Sequence, residues 1–185
     1  MTSLPQLRDD QIVLRRPSLD GAPDPCAPQG YVLRPFRPGD EADWQALYDA
    51  AFADIRQRVR EKVADLMDSS LWVPDRVRFA CKLDHPVACA VAWEPHWDAP
   101  GAGMLHWVAV HPSHRHRGLG RAVILDALGW MRRTGRSAAA LITEVTRAPA
   151  LHLYLSLGFE PDFAATPDMT SRWADAQRHL RSAAP

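Results

Sequence analysis

A run of histidine, arginine and glycine lies between an apolar, strand-like segment and a helical one. The strand-like segment ends at Val110, and His-Pro-Ser-His-Arg-His-Arg then precedes Gly118-Leu-Gly120 at the helix start. Glycines let the backbone approach a ligand closely, and the first turn of a helix offers unpaired N–H groups and a dipole that favours negative charge. This pattern indicates a pyrophosphate site. A tight turn decorated with surface arginines explains the same residues equally well.

Two motifs of this sequence resemble those of one enzyme family. The run from Arg115 to Gly120 resembles the R/Q-x-x-G-x-G/A acyl-CoA signature of the GCN5-related N-acetyltransferase (GNAT) superfamily. In that family a later helix carries a tyrosine followed shortly by Gly-Phe, and Tyr154 with Gly158 and Phe159 is similar and correctly downstream. The resemblance covers roughly residues 31–163, of which the first half matches in pattern rather than in motif.

The resemblance implies a fold and a co-substrate. The expected fold is α/β, with a mixed central β-sheet of about six or seven strands splayed between the fourth and fifth, flanked by about four helices. Acetyl-CoA would be the co-substrate, with the Val108 N–H facing the acetyl carbonyl and the Val110 backbone pairing with the pantetheine arm. The implied cofactor-binding residues are Val108, Ala109, Val110, Arg115, His116, Arg117, Gly118, Leu119, Gly120 and Arg121.

Attack of an amine on a thioester needs an N–H donor for the developing oxyanion and an acid for the departing thiolate. Val108 and Tyr154 match these needs, although an aromatic residue on an amphipathic helix also suits a core position. His106 is the candidate base, since strand alternation puts it on the same side as Val108 two residues later. Glu94 or a bound water could serve equally well, and a lone strand histidine is more often structural.

Two features of the region restrict the interpretation. Arg147 stands where many relatives have an asparagine that helps to fix the cofactor arm, so the local contact differs from the family pattern. His111, His114 and His116 share a loop with arginines and lack a supporting carboxylate, which argues against metal binding. No metal site is therefore predicted.

The hydrophobic pattern predicts alternating strands and helices around these residues. Strands are expected at 31–36, 77–83, 87–93, 104–110 and 138–144, and helices after Asp40, around 59–67, at 119–131 and from Pro149. Residues 1–30 contain five prolines and are predicted to be a flexible N-terminal arm, although Ile12, Val13 and Leu14 could add a short strand. Residues 31–165 would form the N-acetyltransferase domain, and 166–185 a C-terminal extension with a short terminal helix.

Composition restricts the classes of partner that the sequence predicts. A chain of 185 residues with 46% hydrophobic content suits one domain, and 22 basic residues balance 22 acidic ones, so no nucleic-acid or membrane partner is predicted. Three cysteines without paired spacing argue against disulfides and for the cytoplasm. The acceptor is expected to be a small-molecule amine, and the sequence leaves a homodimer open.

Other functions are compatible with parts of the same pattern. A dinucleotide-binding fold fits poorly, because seven residues separate Val110 from Gly118 and Val123 occupies the third glycine position. An acyl-CoA sensor without turnover and a protein-amine acetyltransferase remain alternatives. The aromatic residues that could line an acceptor pocket or fill the core are Trp44, Tyr48, Trp72, Trp93, Trp97 and Trp107.

Overall fold

A computed structural model describes residues 7–53, 63–95, 97, 99 and 101–182. Within these residues the strands are β1 (Gln11–Arg16), β2 (Val32–Pro35), β3 (Val77–Lys82), β4 (His85–Trp93), β5 (Ala102–Val110), β6 (Ala138–Glu144) and β7 (Glu160–Pro161). The helices are α1 (Glu41–Ala51), α2 (Val63–Met67), α3 (Leu119–Arg133), α4 (Ala148–Ser156) and α5 (Met169–Ser182). The expected mixed α/β class is confirmed. Of the helix expected around 59–67, the part before Val63 lies outside the described residues.

All the described strands form one open sheet in the order β2-β3-β4-β5-β6-β1-β7. Its only parallel pair among the described strands is β5 and β6, and these two pair only where Ala102–Met104 faces Ala138–Ala140. Both strands continue for several residues beyond that contact without pairing with each other. The sheet therefore opens at the C-terminal ends of β5 and β6, which confirms the expected splay.

Alternating residues of β4 divide the interior into two cores. Ala88, Ala90 and Ala92 belong to the core that α3 and α4 cover, and Cys89 and Val91 belong to the core under α1 and α2. Successive strand residues point to opposite faces, so the two helix layers lie on opposite sides of the sheet. The opening between β5 and β6 connects these two sides.

The expectation of a flexible arm over residues 1–30 is wrong for β1. This strand lies between β6 and β7, antiparallel to both, and Ile12, Val13 and Leu14 are completely buried. Three consecutive β-branched or aliphatic residues stabilise an interior strand when both faces are covered. The surrounding prolines mark the loops on either side of β1, and the sheet extends outside the expected 31–165 domain.

β1 also holds the helix that carries Tyr154. The guanidinium of Arg16 donates to the carbonyl of Leu157 at the end of α4. At the other end of β1, the backbone N–H of Val145 donates to the carbonyl of Asp10 at 2.8 Å. α5 then packs on β1 and α4, with Met169 and Ala176 buried. The terminal helix expected in 166–185 is therefore present and contributes to the core.

Candidate active site

A bulge in β5 shapes the strand beside the opening. Cys89 pairs with Ala109 and Val91 with His106, so Trp107 and Val108 together face the single residue between them on β4. Trp107 has φ of 46°, which is rare for a bulky side chain. A bulge disrupts the ladder of hydrogen bonds locally and redirects backbone groups. Val108, the expected oxyanion donor, lies at this irregularity.

Cys89 supports the bulge, a role that the sequence did not reveal. Its thiol donates to the Trp107 carbonyl, with 3.2 Å between sulfur and oxygen. Burial raises the pKa of Cys89 to about 12, so the thiol keeps the proton that it donates. The sequence shows only an isolated cysteine, because the partner carbonyl is on another strand.

The bulge changes which face of the sheet His106 occupies relative to Val108, two residues that were expected to lie on the same side of the strand. His106 pairs with Val91, and residues opposed across a ladder share a face of the sheet. Val91 belongs to the core under α1, whereas Val108 packs against the core under α3. The extra residue therefore breaks the alternation and puts His106 on the α1 side. The ring of His106 lies 5.7 Å from that of Trp107.

Tyr154 lies in α4 with 8% of its surface exposed, and its ring is 5.9 Å from that of Phe159. Burial raises the pKa of Tyr154 to about 12, while Arg147 lowers it and Glu144 raises it by smaller amounts. The phenol therefore carries its proton throughout the physiological range. A protonated donor at this position is what an acid in the reaction requires.

The glycine turn adopts the backbone expected of an anion site. Gly118 is the N-cap of α3 with φ of 78°, and His116 has φ of 60°. A Cβ added at Gly120 would lie 3.1 Å from a methyl carbon of Leu153 and 3.6 Å from one of Val110. Gly120 therefore packs closely against Leu153 of α4 and Val110 of β5, and any larger residue would press on these side chains.

Two arginines of this turn are tied to other parts of the chain. Arg115 donates to the carbonyl of Ala51 at the end of α1 (3.2 Å), and Arg117 donates to the hydroxyl of Tyr31 (3.3 Å). The same hydroxyl lies 2.9 Å from His114 Nδ1. The turn is thus fixed by α1 on one side and by the segment before β2 on the other.

The segment between β1 and β2, residues 17–31, runs along α3. The N–H of Leu19 donates to the Ser137 carbonyl, and Asp24 lies 3.7 Å from Arg132 near the end of the helix. At the start of the helix, Pro28 lies 3.7 Å from the Cβ position of Gly118. This proline-rich stretch, read from the sequence as part of a flexible arm, is therefore in contact with both ends of α3.

Aromatic residues fill the core on the α1 side of the opening. Trp44 is fully buried, and its ring lies 6.1 Å from Trp72 and 5.7 Å from Trp107. Tyr48 lies 4.2 Å from Trp107 and 4.7 Å from Phe52 at the end of α1. The sequence left open whether these tryptophans line a pocket or fill the core, and Trp44 is a core residue.

Arg147 is the N-cap residue of α4 and reaches across to α1. Its Nε donates to Glu144 Oε2, and its guanidinium carbon lies 5.3 Å from the centre of the Phe52 ring. Arg8 Nη2 donates to the other oxygen of Glu144 at 2.8 Å. The side chain is 27% exposed, and within the described residues its Nη2 atom is buried without a hydrogen-bond partner.

Comparison with known proteins identifies the family. The model of the Acetyltransferase (GNAT) family matches residues 40–159. Mycothiol acetyltransferase of Thermobispora bispora is 33% identical over 153 residues, which cover 79% of this chain and 52% of the relative. Mycothiol acetyltransferase of Pseudarthrobacter chlorophenolicus is 31% identical over 145 residues, covering 74% and 45%. The chain spans about half the length of these curated relatives.

Solved structures agree with the fold. A GCN5-related N-acetyltransferase from Sphaerobacter thermophilus superimposes with a TM-score of 0.66 at 25% identity, covering 82% of this chain and 48% of that chain. An acetyltransferase of the GNAT family from Novosphingobium aromaticivorans gives 0.60 at 21% identity, covering 87% and 63%. Both structures share the fold of this chain.

The chain belongs to the GNAT family of acetyltransferases. The resemblance noted in its two motifs is thereby confirmed. No helix in the described ranges has both the length and the apolar character to cross a bilayer.

Proposed function

We propose that this chain transfers an acetyl group from acetyl-CoA to the primary amine of a small molecule, by direct attack in a ternary complex. The observation that carries the proposal is the opening between β5 and β6, which has the β5 bulge on one side and, at the end of β6, Glu144, whose charge acts on Tyr154. An opening that connects both faces of the sheet lets a thioester enter from the α3 side and an amine from the α1 side.

The glycine turn would hold the pyrophosphate of acetyl-CoA. Backbone N–H groups from Arg115 to Arg121 surround the start of α3, and the arginines of the turn add positive charge. Among the described strands, none pairs with the second half of β5 on its β6 side, so its backbone can pair with the pantetheine arm as a further strand would. The residues present therefore fit this co-substrate.

We assign one residue to each of the three chemical tasks of the transfer: removing a proton from the amine, stabilising the oxyanion and protonating the thiolate. His106, on the acceptor side of the sheet, takes a proton from the ammonium group, and the freed amine forms the new C–N bond at the thioester carbon. The Val108 N–H donates to the oxygen that gains negative charge. As the C–S bond breaks, Tyr154 gives its proton to the departing thiolate. Glu94 is a poorer base, because Arg76 and Arg136 both donate to its carboxylate.

A small acceptor is supported by the names of the relatives, which refer to mycothiol and not to a protein. A cytoplasmic location is supported by three free cysteines, of which Cys81 and Cys89 are buried. An acyl-CoA sensor without turnover would use the same opening. Turnover is favoured by the protonated Tyr154 close to it.

The test is release of free CoA thiol with a panel of amines, with mass spectrometry of each product. We expect amine-dependent thiol release, an N-acetylated product and no acetyl group on the intact protein. Thiol release without acetylated product would show that the protein hydrolyses acetyl-CoA and does not transfer the acetyl group to an amine. Binding of acetyl-CoA with no release for any amine would instead support the sensor.

A further inference from the structure

We infer that Arg147 binds a carboxylate of the acceptor, so that the substrate class is small amines that also carry a carboxylate. The inference rests on the proposed function, since it concerns the acceptor side of the same opening. Arg147 lies three residues after the end of β6, is close enough to Tyr154 to influence its pKa, and reaches Phe52 at the end of α1. The Arg147 side chain therefore extends from the vicinity of Tyr154, the proposed acid, to the α1 side of the sheet, where the acceptor would bind.

The guanidinium is held in a fixed plane by two contacts. Glu144 accepts from its Nε, and the Phe52 ring lies 5.3 Å from its central carbon, the arrangement of a cation over an aromatic ring. Glu144 is itself anchored, because Arg8 occupies its other oxygen. An arginine fixed through Nε leaves the edge formed by its two terminal nitrogens for another partner.

That edge contains a donor without an acceptor. Nη2 of Arg147 is buried and makes no hydrogen bond within the described residues, and a buried charged donor left unpaired is costly. The other such atoms in the described residues have different surroundings. Nε and Nη1 of Arg76 belong to a guanidinium 5.6 Å from both the Trp93 and Trp130 rings, and Trp44 Nε1 is inside the aromatic core. Of these three residues, Arg147 is the one that follows the C-terminal end of β6, where β5 and β6 no longer pair.

The chemistry of this edge selects a carboxylate. Two terminal nitrogens in one plane match the two oxygens of a carboxylate, and a single guanidinium balances its single charge. A phosphate carries nearly two charges and suits the several basic residues of the glycine turn better. Both oxygens of Glu144 already accept from arginines, so they do not compete for Nη2.

The test compares amines that differ only in the carboxylate. L-Phenylalanine and L-methionine are paired with their carboxamides as acceptors, and kcat/KM is measured for each. Arg147→Gln removes the charge, and Arg147→Lys keeps the charge but not the planar fork. We expect the wild type to favour the acid over the amide by about 10- to 100-fold, a ratio that falls towards one in Arg147→Gln and partly recovers in Arg147→Lys.

Arg178→Gln is the matched control, because Arg178 also pairs with an acid three residues earlier, Asp175, but its side chain is exposed on α5. Its acid-to-amide ratio should equal that of the wild type. Equal use of acid and amide by the wild type, or an unchanged ratio in Arg147→Gln, would overturn the inference while leaving acetyl transfer in place.

A binding measurement separates the inference from the proposed function. Benzoate and benzamide are titrated calorimetrically into the wild type saturated with CoA, and benzoate into Arg147→Gln whose melting temperature shows that it is folded. Benzoate binding that is at least tenfold weaker in the variant supports the inference even if no amine is acetylated. Equal binding of benzoate and benzamide to the wild type contradicts it, whether or not transfer occurs.

Discussion

Tyr154 is packed as a core residue, yet its hydroxyl makes no hydrogen bond within the described residues that would be lost in phenylalanine. We therefore expect Tyr154→Phe to keep the ring contact with Phe159 and the melting temperature, and to keep acetyl-CoA affinity. kcat should fall by about 10²- to 10⁴-fold, the usual contribution of a general acid. Steady-state kinetics, cofactor titration and thermal unfolding check this. An unchanged kcat would mean that water or another group protonates the thiolate.

Gly120 has a double role, because its missing side chain leaves room both for a ligand and for Leu153. We expect Gly120→Val to weaken acetyl-CoA binding by more than about tenfold, since a branched side chain in the first turn of α3 would occupy space that the proposed pyrophosphate site needs. It should also lower stability by about 1–3 kcal/mol, because the new Cβ would lie 3.1 Å from Leu153.

Gly129→Val is the control for this change, since it puts the same side chain in the same helix away from the turn. Its Cβ would meet only the end of the Arg133 side chain. Isothermal titration should show near wild-type acetyl-CoA affinity for this control. Wild-type affinity in Gly120→Val itself would remove the glycine turn from the binding site.

At this scale the sequence carries residue type and spacing but not the orientation of a side chain. Gly118, Gly120 and Tyr154 belong to motifs in which residue type and spacing carry the signal. The face of His106 depends on an inserted residue in β5, which leaves no mark on a period-two pattern. Arg147 was visible only as a departure, because Phe52, which its guanidinium contacts, and Arg8, which pairs with the same Glu144, are far away in the sequence.

Among the elements, β1 is where a stability measurement can tell whether residues 11–16 are a flexible arm or a strand of the folded sheet. We expect Leu14→Ala to destabilise the protein by roughly 2–5 kcal/mol, as for other fully buried leucines. Val32→Ala on the edge strand β2 is the control, since Val32 is 64% exposed, and it should cost less than about 1 kcal/mol. Urea denaturation measures both. Equal midpoints for the two variants would mean that residues 11–16 are not part of the folded sheet.

The strands and helices between β2 and α4 could be predicted because their hydrophobic periods extend over whole elements. β1 was only the alternative to a flexible arm, since Ile-Val-Leu is too short to establish a period and the prolines around it favour loops. Its pairing depends on β6 and β7, which contact it only in the folded chain. Tertiary context here outweighs local composition.

For the whole molecule, a ligand that binds only the folded state must raise its stability. We expect acetyl-CoA at about 100 times its dissociation constant to stabilise the protein by about 2.7 kcal/mol. NAD and NADP should have little effect, because the glycine spacing does not fit a dinucleotide turn. Thermal unfolding with each ligand at equal concentration checks this. A shift with NAD but none with acetyl-CoA would show that the cofactor assignment is wrong.

The pairing of β1 with β6 has a consequence for the order in which the protein is made. Even the nearest partners, Arg16 and Ala139, are more than 120 residues apart, so this contact forms late and slows folding. At about 5–20 residues per second, a ribosome needs on the order of ten seconds to synthesise the intervening chain. During that time Ile12, Val13 and Leu14 emerge without their partner strand. β1, the strand that joins β7 to the rest of the sheet, is thus the strand most exposed to chaperones and to aggregation while translation continues.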